Sequence, residues 1–144
     1  MDNRFAERFK MLRNSKNLGI REIAKILNVK SPVNISFWEK GINVPSLPLF
    51  FNIIRLFGIN ADWLWGNSDE PYNEKIISEI EAELKELLNL EIANTFISKE
   101  VINMERTLEQ RANIIFWLQV LHFNEEKYRP FLINALVVNN APRK

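Results

Sequence analysis

Polar side chains between residues 21 and 43 are of types that bind a polyanion without making or breaking bonds. Lysine and arginine neutralise phosphate charges, and amide and hydroxyl groups hydrogen-bond to phosphate oxygens. A helix N-terminus adds backbone donors for the same kind of ligand. The candidates for phosphate contact are Arg21, Lys30, Ser31, Lys40 and Asn43.

Residues suited to covalent catalysis or metal binding are scarce. The chain contains 0 Cys, 4 Gly and a single histidine, His122. This composition disfavours thiolate metal sites, histidine-dependent triads and glycine-rich phosphate loops. The carboxylates of residues 79–86 are typical of a solvated helix face. We therefore expect no enzymatic activity, no metal and no cofactor.

The net charge of +1 conceals an asymmetry along the chain. Residues 1–60 carry ten basic and four acidic side chains, a net charge of +6, whereas residues 61–144 carry nine basic and 14 acidic ones, a net charge of −5. A basic head before an acidic body favours polyanion binding by the head, although a chance cluster of solvated charges would look the same. The sequence shows neither a signal peptide nor an apolar run of membrane-spanning length, so we expect a soluble cytoplasmic protein.

Hydrophobic periodicity and helix-breaking residues divide the head into five short helices. Asn28 is expected to end the second helix in the left-handed conformation, and Ser31 and Pro32 to begin the third. The predicted helices span residues 3–16, 20–27, 32–40, 46–58 and 61–65.

The third predicted helix, residues 32–40, has one apolar face. At 100° per residue, Ile35 and Trp38 fall on the side expected to pack inward. Val33, Ser36 and Phe37 fall on the opposite side, and Asn34 flanks them; this group is expected to face a ligand. Two short helices joined by a tight turn, with basic residues around them, form the helix-turn-helix plan that enters the DNA major groove.

The order and spacing of five motifs resemble the Cro/repressor (XRE-type) helix-turn-helix family over about residues 5–66. The motifs are IREIAKILNV (20–29), NISFWEKG (34–41), PSLPL (45–49), LFGI (56–59) and DWLWG (62–66). The resemblance implies an all-α, five-helix, lambda-repressor-like domain that binds double-stranded operator DNA. It also implies a structural pair between Arg13 and Glu39.

The chain departs from the family in three ways. The turn before the third helix is one residue longer than usual, and the frequent glutamine at the start of the second helix is Ile20 here. The outer face of helix 32–40 lacks Gln and Arg. Asn34 can bond an adenine edge, and Val33 and Phe37 can touch thymine methyl groups, which predicts an A·T-biased site. Alternatively, Phe37 is buried against a loop and DNA shape supplies the specificity.

The second half is predicted to be helical and to assemble copies of the chain. We expect a DNA-binding domain at residues 1–68, a linker at 69–73 and a helical oligomerisation domain at 74–144, with helices near 74–93, 98–122 and 125–138. A heptad-like seam and two large aromatic residues would form the contact. The predicted oligomerisation residues are Ile77, Ile80, Leu84, Leu87, Trp117 and Phe131. The alternative is that they form a core private to one chain.

These observations favour a phage- or prophage-type transcriptional repressor that acts as a homodimer or homotetramer. The second half is short and helical, unlike the β-rich self-cleaving domain of many phage repressors, so we expect release from DNA by a protein antirepressor or by control of expression. An antitoxin with autoregulatory DNA binding is the second hypothesis. A helical scaffold whose basic head binds no specific DNA is the third.

Overall fold

The computed structural model describes residues 4–87 and 106–123, and every regular element in these two ranges is an α-helix. The predicted all-α class is confirmed. The predicted helix at 125–138 and the residues 88–105 lie outside the described residues. The helices are α1 (Arg4–Ser15), α2 (Ile20–Ile26), α3 (Pro32–Glu39), α4 (Leu47–Phe57), α5 (Ala61–Trp65), α6 (Glu74–Leu87) and α7 (Leu108–Phe123).

The chain divides into two compact units. The first contains residues 1–54 and 59–71, and the second contains residues 55–58 and 72–144. The division falls inside α4, because the last turn of this helix belongs to the second unit. The unit boundaries are thus set by packing, and one of them lies within a continuous helix.

Left-handed residues end the first two helices. Asn17 has φ of 55° and Asn28 has φ of 57°. After α2, the backbone N–H of Val29 donates to the carbonyl of Ala24 at 2.8 Å, which closes the helix end. Asparagine adopts this conformation more readily than most residues, so the prediction for Asn28 is confirmed.

The core of the first unit is built from one apolar stripe on each helix. Phe9 of α1, Ile23 of α2, Ile35 of α3, Ile53 of α4 and Leu64 of α5 are all fully buried. Because none of these helices is long enough to be stable alone in water, burial of the stripes against one another holds them in place. The core therefore fixes the orientation of α3.

The backbone on both sides of α5 is hydrogen-bonded, including part of the predicted linker. In the first unit, the N–H of Asn60 donates to the carbonyl of Pro71 at 2.8 Å, and the side chain of Asn60 donates to the carbonyl of Glu70 at 2.9 Å. In the second unit, the N–H of Asn73 donates to the carbonyl of Gly58 at 3.0 Å. The proposed linker 69–73 thus contains residues that are tied to the chain around 58–60.

The second unit has its own aromatic and aliphatic core. Phe57 and Phe116 stack with ring centroids 5.0 Å apart, and Trp117 meets Phe116 edge-on at 5.0 Å. Between α6 and α7, the largely covered side chain of Arg111 donates two hydrogen bonds, of 2.6 and 3.2 Å, to the carboxylate of Glu81. These bonds raise the pKa of Arg111 above its ordinary value, and burial of the side chain opposes the rise.

Four of the proposed oligomerisation residues are covered by this same chain. Ile77, Ile80, Leu84 and Trp117 are all buried. In this arrangement they line the core of the second unit instead of an exposed seam, which corresponds to the private core that the sequence left open. The side chain of Leu87 and the whole of Phe131 lie outside the described residues.

The predicted helix at 98–122 is described only from residue 106 onward. Arg106 and Thr107 are not helical, and α7 begins at Leu108. The hydroxyl of Thr107 accepts from the N–H of Gln110 at 3.1 Å, and the side chain of Gln110 accepts from the N–H of Thr107 at 3.0 Å. This reciprocal capping box, with Thr and Gln three residues apart, starts a new helix. The same pattern was readable in the sequence and was missed.

In the described ranges, no helix combines the length and the hydrophobicity that crossing a membrane requires.

Candidate nucleic-acid interface

The orientation of α3 follows from two side chains beneath it. Ile35 has no exposed surface and Trp38 is 4% exposed. The ring of Trp38 meets that of Phe9 edge-on, with centroids 5.6 Å apart. The predicted inward packing of Ile35 and Trp38 is confirmed. Because the two residues occupy one side of an eight-residue helix, the other side faces away from the core.

The outer side of α3 presents a small apolar group beside an amide. Val33 is 53% exposed and Asn34 is also exposed. Ser36 and Phe37 are half-buried. Among the four predicted base-contact residues, Val33 and Asn34 are therefore the most accessible, and Phe37 is partly covered by the protein itself.

The N-terminus of α3 is open to solvent. Ser31 occupies the N-cap position with an extended backbone, and Pro32 follows in the first turn, but the Ser31 hydroxyl makes no capping hydrogen bond. Ser31 and Lys30 are both exposed. The expected position of Ser31 is thus observed, while its expected side-chain bond is not, and this leaves the hydroxyl available to a ligand.

Exposed cations occur before α3 and immediately after it in the chain. Arg21, Lys30 and Lys40 are exposed and form no ion pair with the other described residues. Asn43 is exposed as well. All five side chains predicted to contact phosphates are therefore accessible to a ligand.

Arg13 and Glu39 form a nearly buried ion pair between α1 and α3. The guanidinium donates two hydrogen bonds of 2.7 Å to the carboxylate and a third, also 2.7 Å, to the carbonyl of Leu18. The side chains are 11% and 6% exposed. Hydrogen bonding to Glu39 raises the pKa of Arg13, against the lowering effect of burial. The pair joins the C-terminal turn of α3 to α1.

Two further arginines of the head stabilise the fold, and the sequence pattern did not predict their contacts. Arg4 donates to the carbonyl of Gly66, and Arg8 donates to the carbonyls of Trp63 and Ser68. The guanidinium of Arg8 also lies over the Trp63 ring, 4.9 Å from its centroid. The partners are 55 to 62 residues away in sequence, so no local pattern could have indicated them. These contacts satisfy carbonyls at the end of α5.

The basic residues of the head therefore fall into two groups. Arg8 and Arg13 hold helices together, while Arg21, Lys30 and Lys40 remain available around α3. A helix with a polar and methyl-bearing outer side, preceded and followed by exposed cations, carries the side-chain types and the charge needed to contact base edges and phosphates of a duplex.

A family model matches the segment of the chain that contains α3. The family model described as "Helix-turn-helix" matches residues 9–64, the range that contains α2, α3, α4 and most of α1. Searches of curated proteins and of solved structures returned no match. Residues 9–64 therefore form a segment that is similar to the XRE-type helix-turn-helix family, and this similarity supports a DNA-binding transcription regulator.

Proposed function

We propose that the protein is a transcriptional repressor of the phage or prophage type that binds a specific operator with α3 in the major groove. The observation that carries this proposal is the two-sided character of α3: Ile35 and Trp38 are buried beneath it, while Val33 and Asn34 are exposed on its outer side. A recognition helix needs this combination, because a rigid inner face aims the side chains that distinguish base edges.

Base recognition centres on Asn34 and Val33. An asparagine side chain can form two hydrogen bonds with adenine, and the methyl groups of valine can contact the thymine methyl group. Both contacts favour A·T pairs. Ser36 and Phe37 are less exposed and contribute at the edge of the contact, where DNA shape adds to the specificity.

A selection of bound duplexes from a random pool tests this assignment. We expect the wild type to enrich one A·T-biased site, and Asn34→Ala to lose the preference at one base pair, with about 1–3 kcal/mol less discrimination there. Asn14→Ala, at an exposed position of α1, is the matched control and should enrich the wild-type site. An unchanged consensus for Asn34→Ala, or no enrichment by the wild type, would refute the assignment.

Phosphate contacts are assigned to Arg21, Lys30, Ser31, Lys40 and Asn43. Each cation that neutralises a phosphate releases condensed counterions from the duplex, so affinity falls as salt rises. Together with the amide and hydroxyl groups, these residues set the position of α3 on the duplex.

Salt dependence provides a test that does not require knowledge of the operator. With one fixed duplex, the slope of log K against log [KCl] should become shallower by about 0.9 in Arg21→Gln. Lys10→Gln removes a charge from an exposed position of α1 without a proposed phosphate contact, and its slope should match that of the wild type. Equal slopes for Arg21→Gln and Lys10→Gln would contradict the assignment of Arg21.

Two copies acting together would supply the specificity that one head lacks. A two-fold dimer reads two half-sites about 34 Å apart, which multiplies the base contacts. We propose that the repressor acts as a homo-oligomer and that derepression occurs without self-cleavage, through a protein antirepressor or lowered expression. The helices α6 and α7, which follow the head, differ from the β-rich domain that self-cleaving repressors carry.

A further inference from the structure

An exposed isoleucine lies just beyond the end of α3. Ile42 is 63% exposed, although α3 ends at Glu39 and the chain soon returns to the core at Pro45, which is buried. A single exposed apolar residue is ordinary on a protein surface, so only its neighbours can give it significance.

The chain leaves α3 through a hydrogen-bonded reversal that determines where Ile42 lies. The N–H of Ile42 donates to the carbonyl of Phe37 at 2.9 Å, and the N–H of Gly41 donates to that of Trp38 at 3.2 Å. Gly41 has φ of 74°. Together these features form a Schellman motif, in which an apolar residue after the left-handed glycine commonly contacts the last turn of the helix near the carbonyl that it binds. The backbone thus brings Ile42 next to Phe37.

Ile42 extends an apolar stripe along the outer side of α3. Val33 and Phe37 are four residues apart on this helix and therefore lie on one face of it. Val33 is 53% exposed and Phe37 is half-buried. The two helical residues alone are about 6 Å apart along the axis, which exceeds the base-pair step of about 3.4 Å. We call Val33, Phe37 and Ile42 the outer stripe.

An apolar stripe matches one chemical feature of the major groove. The 5-methyl group of thymine is the apolar group that the base edges present there, whereas their other groups donate or accept hydrogen bonds. Phosphates are bound by cations, polar side chains and backbone N–H groups. Residues 41–46 contain no charged side chain. The side chain of Ile42 is therefore suited to a base methyl group and not to a phosphate.

We propose that Ile42 is a specificity-determining residue that contacts the 5-methyl group of a thymine in the operator, an inference that rests on the proposed function. Because Ile42 lies beyond the end of α3, this thymine belongs to a different base pair from the one that Val33 contacts. The methyl contact adds a base pair to the recognised site without a hydrogen bond. Removing one buried methyl group weakens binding about three- to fivefold.

Operator duplexes in which single thymines are replaced by uracil test the proposal, because uracil lacks only the 5-methyl group. The operator is the duplex enriched by the wild type, and fluorescence anisotropy at fixed salt measures the dissociation constants. Uracil at one thymine, other than the one contacted by Val33, should weaken wild-type binding about three- to fivefold. Ile42→Ala should lose the sensitivity to uracil at that position and keep it at the thymine contacted by Val33. Ile42→Val retains a branched apolar side chain and should retain both sensitivities.

Met11→Ala is the matched control. Met11 is 54% exposed on α1, close to the exposure of Ile42, and has no proposed contact with DNA. This variant should show the wild-type response to uracil at every position. Thermal melting followed by circular dichroism reports whether each variant folds, and Ile42→Ser replaces Ile42→Ala if the latter does not fold.

The outcomes separate the role of Ile42 from that of α3. If Ile42→Ala binds every uracil duplex with the wild-type ratio of affinities, the assignment of Ile42 is overturned, while the loss of base preference by Asn34→Ala still supports α3 in the groove. A wild type that responds to uracil at no thymine besides the one contacted by Val33 would overturn it as well. A wild type that enriches no duplex at all would overturn both the proposed function and this inference.

Discussion

Removing either member of the Arg13–Glu39 pair should lower the free energy of unfolding by about 3–5 kcal/mol. The reason is burial: the two side chains are 11% and 6% exposed, so loss of one leaves the other charged and shielded from water. Arg13→Met leaves the carboxylate of Glu39 without its partner, and Glu39→Gln leaves the guanidinium of Arg13 without its partner. Arg13→Met also removes the donor to the Leu18 carbonyl, which closes the end of α1. Urea unfolding measures the change.

A double variant and an exposed pair provide the controls. Arg13→Met/Glu39→Met removes both charges and should be more stable than either single variant, because no buried charge then remains unpaired. The ion pair between Arg55 and Glu83 has the same 2.7 Å separation, but its side chains are 43% and 52% exposed. Arg55→Met should therefore cost only about 0–1 kcal/mol. A similar small cost for Arg13→Met would show that the buried pair contributes little.

Gly58→Ala should destabilise the second unit by about 2–4 kcal/mol, the sum of backbone strain and overpacking. Gly58 has φ of 65°, a conformation that alanine rarely adopts. An added Cβ would also lie 2.8 Å from Cγ1 of Ile77 and 3.2 Å from Cδ1 of Ile115. Both isoleucines are fully buried, so neither can move aside without opening the core.

Gly19→Ala is the matched control for this prediction. Gly19 has φ of −77°, which alanine tolerates, and an added Cβ would meet only the flexible side chain of Glu22 at 3.3 Å. We expect a cost of about 1 kcal/mol or less from this change at a helix N-cap. Thermal melting of both variants measures the difference, and Gly58→Ala should melt at the lower temperature. Equal melting temperatures would mean that Ile77 and the backbone accommodate the added methyl group, which contradicts the prediction.

The helices of the head were predictable because their ends are marked locally. Asn28 stops α2, Pro32 opens α3 and Gly41 follows its end, and each acts through its own backbone preferences. The start of α7 was not predicted from its local signal, although Thr107 and Gln110 form a capping box. Apolar residues at helical spacing both precede and follow Thr107, and this pattern favoured one continuous helix. Periodicity alone did not reveal that a helix starts there.

The outer side of α3 was also predictable, and for a related reason. In a helix of eight residues, the positions of Ile35 and Trp38 determine which side is buried, and the remaining side must then be Val33, Asn34, Ser36 and Phe37. The degree of exposure was not predictable. Phe37 is half-buried because of what packs beside it, and a helical projection contains no information about neighbours.

The sequence by itself determined the all-α class, the helix-turn-helix segment and the concentration of positive charge in the head, because these depend on residue type and short-range spacing. Only the tertiary structure decided which charges remain free: Arg8 and Arg13 have partners distant in the chain, whereas Arg21 has none among the described residues. It also decided that Ile77 and Trp117 are covered by their own chain while Phe51 is exposed. Burial of an apolar side chain is favourable, but the residue type does not specify which neighbours bury it, or whether any do.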